Sequence, residues 1–306
     1  MSLDANARRF SGFADLYDAV RPVPPRSVAE VITAYAGGPP QLVVDLGSGT
    51  GLSTRWAGGW ASEAIGIEPS FDMRARAAAV PSDANVGYQS GWSNATGLPD
   101  RCADVVLAVQ ALHWMDPTST FVEVARLLRP GGVFAAIDCD WPPSVGDARS
   151  EQAWHAARAT IANHERELAG WSGETPPPRA ASSSPQSDDL RPAPSIDTAS
   201  ASAVEIADGA QYWHKGGHLG RMVASQQFLH CSEVAALGEE RGDSDRFVQL
   251  FRSQGDYQAL RGHGIDDQTL GIDQFAAEVE AAIGTAERPF WFTYRARIGV
   301  RGGTGR

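Results

Sequence analysis

Cysteine is scarce in this 306-residue chain. Cys102, Cys139 and Cys231 are the three that occur, far apart and with no C-x-x-C pair. Neither a disulfide framework nor a Cys-rich zinc site is built from them. No apolar run approaches the length needed to span a membrane. The first residues, Met1-Ser2-Leu3-Asp4-Ala5-Asn6, carry no charged region followed by an apolar stretch, so no secretory signal is read there and a cytoplasmic protein is expected. Basic residues form no block: 26 are scattered among 37 acidic ones, for a formal net charge of −11. Nucleic-acid backbones call for clustered Lys and Arg, so no nucleic-acid partner and no membrane partner is expected.

Two phosphate-binding motifs are also missing. The run Val43-Val44-Asp45-Leu46-Gly47-Ser48-Gly49-Thr50-Gly51-Leu52 is glycine-rich, but Leu52 stands where a dinucleotide fingerprint needs more spacing before its third glycine. No Lys follows the glycines, which excludes a P-loop. What is there is an apolar strand ending in an acid, three glycines on alternate positions, and a helix opening at Leu52. Glycine has no Cβ and takes positive φ, so such a turn lets a bulky ligand lie against bare backbone. The free N–H groups of the helix face the same ligand. A second acid, Glu68, ends the next apolar run, where doubly wound folds hold a ribose diol.

Hydrophobic residues make up 42% of the chain, enough for a core plus a cap. Strands are predicted at 42–46, 64–68, 85–89, 103–109 and 133–138. Helices near 51–59, 70–79 and 117–128 alternate with them. Apolar strands alternating with amphipathic helices imply a parallel sheet covered on both faces. Upstream, Phe10, Phe13, Tyr17 and Arg21 recur at helical spacing, and a further helix is read at 26–36. Downstream, helices are read at 149–170, 245–261 and 273–283, while 222–237 reads equally as strand or helix. Segment 172–203 holds six Pro and eight Ser and is expected to be disordered. The aromatic, alternating run 289–300 reads as a strand.

The spacing D-x-G-x-G-x-G at Asp45, Gly47, Gly49 and Gly51 resembles motif I of the class I S-adenosylmethionine (SAM) methyltransferases. Gly91-Trp92-Ser93-Asn94-Ala95-Thr96-Gly97-Leu98-Pro99-Asp100 resembles the segment that carries the adenine. Val109-Gln110-Ala111-Leu112-His113-Trp114 resembles motif IV of the branch containing ubiquinone-biosynthesis and trans-aconitate methyltransferases. Leu127-Leu128-Arg129-Pro130-Gly131-Gly132-Val133 is like the turn into strand five. The likeness covers about residues 8–140. Trp92, Ser93 and Asn94 depart from the family's usual G-[DS]-A-E loop: Asn94 removes a charge, Trp92 offers a ring to stack on adenine, and the Ser93 backbone N–H remains for a ring nitrogen.

The resemblance implies a doubly wound, mostly parallel seven-stranded α/β sheet of Rossmann-like methyltransferase type with a helical cap. It divides the chain into an N-terminal lid and lead-in helix (1–40), a SAM-binding core (41–140), a helical cap and substrate region (141–288, with the insert 172–203), and a last strand returning to the sheet (289–301). It implies SAM as cofactor, with Asp45, Gly47, Ser48, Gly49, Gly51, Glu68, Trp92, Ser93, Gln110 and Arg21 as its candidate contacts. Arg21, in the lid beside Tyr17, would meet the methionyl carboxylate or an acidic substrate. His113, past the end of strand four, is the candidate general base or else a packing histidine under the cofactor.

Asp138 and Asp140 read as solvated loop acids, and His214 and His218, four apart but split by Gly216-Gly217, do not read as zinc ligands; no metal is expected. Tyr212 and Trp213 offer aromatic surface to a substrate loop. The expected enzyme moves the SAM methyl to a small organic molecule by in-line displacement. Methyl transfer to tRNA or protein, and a SAM-binding protein that transfers no methyl, are the alternatives; a nicotinamide oxidoreductase is disfavoured by Leu52.

Overall fold

A computed structural model describes residues 12–168, 203–205 and 211–302. The Pro/Ser-rich stretch 172–203 and Phe10 therefore lie, almost wholly or wholly, outside the described residues. Five parallel strands come first: β1 (Leu42–Leu46), β2 (Glu63–Ile67), β3 (Val86–Gln89), β4 (Ala103–Val109) and β5 (Leu128–Cys139). A two-stranded ribbon follows, β6 (Val204–Glu205) with β7 (Gln211–Tyr212). Two long strands, β8 (His230–Gly242) and β9 (Arg288–Val300), complete the main sheet, whose order is β3-β2-β1-β4-β5-β9-β8. β9 runs antiparallel to β5 and to β8. The sheet is thus doubly wound, mostly parallel and seven-stranded, as the motif spacing implied.

Strand order reverses between β1 and β4, where Val43 pairs with Val105 and Asp45 with Leu107. Crossovers leave this point toward opposite edges, so a crevice opens at the carboxyl ends of β1 and β4. Val43 and Val44 point to opposite faces, and both are fully buried, as strands covered by helices on both sides require. Local signals set the helix starts. Ser70 accepts from the Met73 N–H at the head of the helix Phe71–Ala79. Asp116 accepts from Ser119 N–H with Pro117 at the first position of the helix Pro117–Leu127.

The helices downstream of β5 do not stand apart from the sheet. Residues 148–168, 244–252 and 272–283 are helical and share one hydrophobic core with Val105, Leu107, Phe290 and Phe292. Trp154 centres this core, 1% exposed. Its ring centroid lies 5.1 Å from Phe247, 5.0 Å from Phe251 and 6.0 Å from Trp141.

Two sequence readings need amendment here. Residues 222–237 hold the end of a short helix (His218–Ala224) and the start of β8, so the stretch assigned to a helical cap also supplies a strand of the main sheet. The β8 pattern is hard to read because this edge strand is exposed along much of its length. Residues 245–261 form two helices, Ser244–Arg252 and Gly255–Gly262, broken where the buried Ser253 turns its hydroxyl back to the Leu250 carbonyl. Among the described residues no helix is long and apolar enough to cross a membrane. Replacing Trp154 with Ala is expected to cost about 3–5 kcal/mol, read as a lower urea midpoint at unchanged slope.

Candidate cofactor and methyl-transfer site

The turn after β1 is shaped by three glycines with φ of +66° (Gly47), +55° (Gly49) and +85° (Gly51). A Cβ on Gly47 would lie 2.7 Å from Met115 Cε and 2.9 Å from Ala111 Cβ, and one on Gly51 would collide with the Tyr88 ring. At Gly49 a Cβ would meet nothing within 4 Å, because that backbone faces the cleft. Gly47 and Ser48 N–H both donate to the Ile67 carbonyl (2.8 and 3.2 Å), which ties the turn to the tip of β2.

Asp45 lies beneath this turn and is fully buried. Its Oδ2 accepts from Ser53 Oγ and Thr54 Oγ1, both at 2.7 Å, so the carboxylate fastens the strand end to the first turn of the next helix. Burial raises its pKa to about 6, against the pull of the two hydroxyls. Asp45 does not reach the cleft wall; it sets the shape of the loop that does. Glu68 lies on the wall. Its carboxylate accepts from Gly49 N–H at 3.0 Å and Ser70 N–H at 2.8 Å. Each oxygen keeps lone-pair capacity for a ligand hydroxyl. Burial pushes the Glu68 pKa up despite those two amides.

The cleft measures about 1120 Å³ including its solvent-open part. Ligand pockets commonly occupy ~300–1,000 Å³, so it has room for a cofactor and a second molecule. Gly47, Ser48, Gly49, Glu68, Trp92, Ser93, Gln110 and Arg21 all line it, while Gly51 and His113 do not. The Trp92–Ala95 turn closes through reciprocal backbone bonds of 3.2 and 3.0 Å. Two residues not picked out in the sequence anchor this segment. Glu123 accepts from the Thr96 N–H (2.9 Å) and hydroxyl (2.6 Å), and Arg126 donates to Glu123 and to the Leu98 carbonyl (2.8 Å). Arg126 holds the Glu123 pKa down at about 2. A Glu–Arg pair three apart on a helix is ordinary in sequence, and nothing there marks this one.

Arg21 comes from the segment after the helix Ala14–Val20. Its guanidinium lies over the Tyr17 ring at 4.7 Å and the Trp141 ring at 4.8 Å. It donates to Ser253 Oγ (2.9 Å) and to the Ser253 carbonyl (2.7 Å). No carboxylate among the described residues lies within ion-pair distance of it. Burial lowers its pKa; Tyr17, Cys139 and Asp256 oppose this and Arg158 adds to it. A cation walled in by aromatics and bonded to neutral oxygens favours the arrival of an anion.

Behind the cleft wall lies a charge cluster that the sequence reading misplaced. Asp138 is no solvated loop acid: β5 continues through it, paired with β9, and it is 2% exposed. Arg297 of β9 donates to its Oδ2 at 2.7 Å and to Glu233 of β8 at 2.7 Å. Lys215 Nζ and His113 Nδ1 lie 3.4 and 3.5 Å from Asp138 Oδ1, and His218 Nε2 lies 3.6 Å from Oδ2. Burial alone would raise the Asp138 pKa; Lys215, His113 and His218 hold it well below the usual carboxylate range.

His113, Asp138 and His218 place ligand-type atoms within 4.8 Å of one another. The carboxylate already faces Arg297 and Lys215, so a divalent ion would be a third cation at the same two oxygens. Asp140, by contrast, is half-exposed and paired with Arg295 at 3.1 Å. His113 is packed against Trp114 and Tyr212 with ring centroids 5.2 and 5.3 Å away, and its carbonyl accepts from Trp213 N–H at 2.9 Å. The aromatic loop 212–218 thus docks on the motif after β4. β9 buries Phe292 and Tyr294 in the core, and Trp291 donates to Glu239.

Comparison with known proteins agrees with this geometry. Residues 44–136 match the model of a methyltransferase domain. The chain is 31% identical over 124 residues to the probable S-adenosylmethionine-dependent methyltransferase CRG1 of Saccharomyces cerevisiae, covering 39% of this chain and 43% of that protein. It is 34% identical over 125 residues to an uncharacterised methyltransferase of Mycobacterium bovis, covering 40% and 49%. The chain thus spans about half the length of the curated relatives it matches. A solved structure, an inferred type II methyltransferase from Anaeromyxobacter dehalogenans, superposes with a TM-score of 0.55 over 92% of this chain and 97% of that one, at 22% identity. The fold is that of the Rossmann-like methyltransferases. Residues 44–136 thus form a methyltransferase domain, similar in sequence to S-adenosylmethionine-dependent methyltransferases.

The two buried aspartates titrate in opposite senses. Asp45 has a folded pKa of about 6, above its unfolded value, so it takes stability away as pH rises from about 4 to about 6, by about 3 kcal/mol. Asp45→Asn is expected to flatten that part of the pH–stability curve in urea titrations. Asp138 has a depressed pKa, so its contribution is present above about pH 4 and lost as pH falls. Asp138→Asn at pH 7 leaves Arg297 and Lys215 facing a neutral amide and is expected to cost about 3–5 kcal/mol.

Proposed function

We propose that this chain transfers the methyl group of SAM to a small organic molecule. The observation that carries the reading is the cleft at the β1/β4 reversal. It is floored by the open Gly49 backbone, edged by Glu68, and closed by an Arg21 guanidinium with no carboxylate partner among the described residues. These features fit the cofactor chemically. The bare backbone admits the cofactor's bulk, and Glu68 accepts from a ribose diol. Arg21 answers the methionyl carboxylate, and Trp92 lies on the wall as a face for adenine. SAM supplies an activated methyl on a sulfonium that is already a good leaving group.

What remains for the protein is to align the acceptor in line with that methyl and to exclude water. Trp141, Trp114 and Tyr17 on the wall, with the Arg21–Ser253 latch, supply the exclusion. Gln110 lies on the same wall. In this reading His113 supports the wall formed by Gln110 and Trp114 from behind, with its Nδ1 turned to Asp138. The net charge of −11 and the aromatic enclosure favour a small molecule over tRNA as acceptor.

Isothermal titration with SAM and S-adenosylhomocysteine tests the proposal. The expected result is micromolar binding that falls at least about tenfold in Glu68→Ala and Arg21→Met, a loss of ~1.4 kcal/mol or more each. Wild-type protein that binds neither compound would overturn the cofactor assignment. Tight SAM binding with no S-adenosylhomocysteine produced against any small-molecule pool would favour a SAM-binding protein that transfers no methyl.

A further inference from the structure

Gln110 is singular in three respects. It follows the last residue of β4 in the left-handed region at φ +53°, a conformation that costs a non-glycine residue ~1–3 kcal/mol. Its N–H donates to the Ile137 carbonyl at 2.7 Å, which helps hold that geometry and turns the side chain to the cleft wall. Its amide oxygen accepts from Lys215 Nζ at 2.6 Å, while its Nε2 is buried and finds no hydrogen-bond partner among the described residues.

Lys215 is the only lysine in the chain. It arrives from a short 3₁₀ turn (Lys215–Gly217) and rests its ammonium between Gln110 and Asp138 Oδ1. An ammonium can only donate, so the Gln110 oxygen must face Lys215 and the –NH2 must face away. The direction of a glutamine amide is usually set by a network of weak preferences; here one charged neighbour dictates it. The price is a buried donor left unmatched, a cost of ~1–3 kcal/mol that an incoming acceptor atom would recover.

We propose that Lys215 is a positioning residue that fixes the hydrogen-bonding sense of Gln110, so that its –NH2 donates to an oxygen lone pair of the molecule bound in the cleft. The proposal rests on the methyl-transfer reading of that cleft. It selects for a carboxylate, carbonyl or deprotonated hydroxyl at Gln110 and against a group that only donates. That oxygen comes either from the amino-acid end of the cofactor or from the methyl acceptor, and the test separates the two.

Full-length protein labelled with ¹⁵N at glutamine side chains supplies the signal, the Gln110 –NH2 pair being assigned by its loss in Gln110→Leu. The expected result is that Lys215→Met moves this pair and Lys215→Arg, which keeps a donor in place, returns it toward the wild-type position. An unchanged pair in Lys215→Met overturns the proposal. S-adenosylhomocysteine is then added, with binding followed separately by calorimetry, and sodium acetate after it. A shift on the first addition assigns the oxygen to the cofactor; a shift only with acetate assigns it to the acceptor. Methylammonium chloride at equal concentration is expected to leave the pair in place. If S-adenosylhomocysteine binds and neither it nor acetate moves the pair, the proposal fails while the cofactor reading stands. If S-adenosylhomocysteine gives no heat, the cofactor reading fails, and the Lys215→Met comparison still decides whether lysine orients the amide.

Discussion

Asp138 carries one negative charge inside a sheet whose buried positions are mostly apolar. That charge is tolerable only because cationic groups reach it from separate parts of the chain: Arg297 from the antiparallel β9 and Lys215 from the loop docked on His113. Breaking such an arrangement at one partner strands the others, which is why buried charge clusters fix relative placement more strongly than they add net stability. Here the placement fixed is that of β9 beside β5, the aromatic loop 212–218 above them, and the Gln110 side chain between.

Asp45 and Asp138 sit at similar depth near the carboxyl ends of β1 and β5, yet their surroundings differ. Asp45 meets two hydroxyls and no cation, so burial dominates and its proton is held more tightly. Asp138 meets charges, and its proton is expelled. The same residue type thus serves two ends: one aspartate shapes a loop through neutral donors, the other gathers cations into a scaffold behind the site.

The parallel half of the sheet and the glycine turn were legible from residues because their signals are local. Val43-Val44 reads as a strand buried on both faces, and three alternate glycines announce positive φ. Glu68 could be placed from its position at a strand tip. The charge cluster could not be placed, since Asp138, Lys215, Arg297 and Glu233 come from four distant segments and no spacing joins them. β8 hid for another reason: as an exposed edge strand it shows little alternation, and the register that defines it is supplied by β9. The partners of Asp45 are local but unmarked: Ser53 and Thr54 follow eight and nine residues later and draw its carboxylate beneath the loop.

The rim of the cleft has a consequence for how the chain folds. Arg21 is held by Ser253, 232 positions later, and the Val23 carbonyl accepts from the Tyr294 hydroxyl, 271 positions later. Contacts of such sequence separation close late, because their loop entropy is met only after the intervening elements have formed. During synthesis the glycine turn and its two acids can assemble once β1 through β5 have emerged. The rim segment that carries Arg21 and Val23 must wait for Ser253 and for Tyr294 of β9. A nascent chain that has not yet made β9 therefore has its glycine turn in place and the cleft open on the Arg21 side.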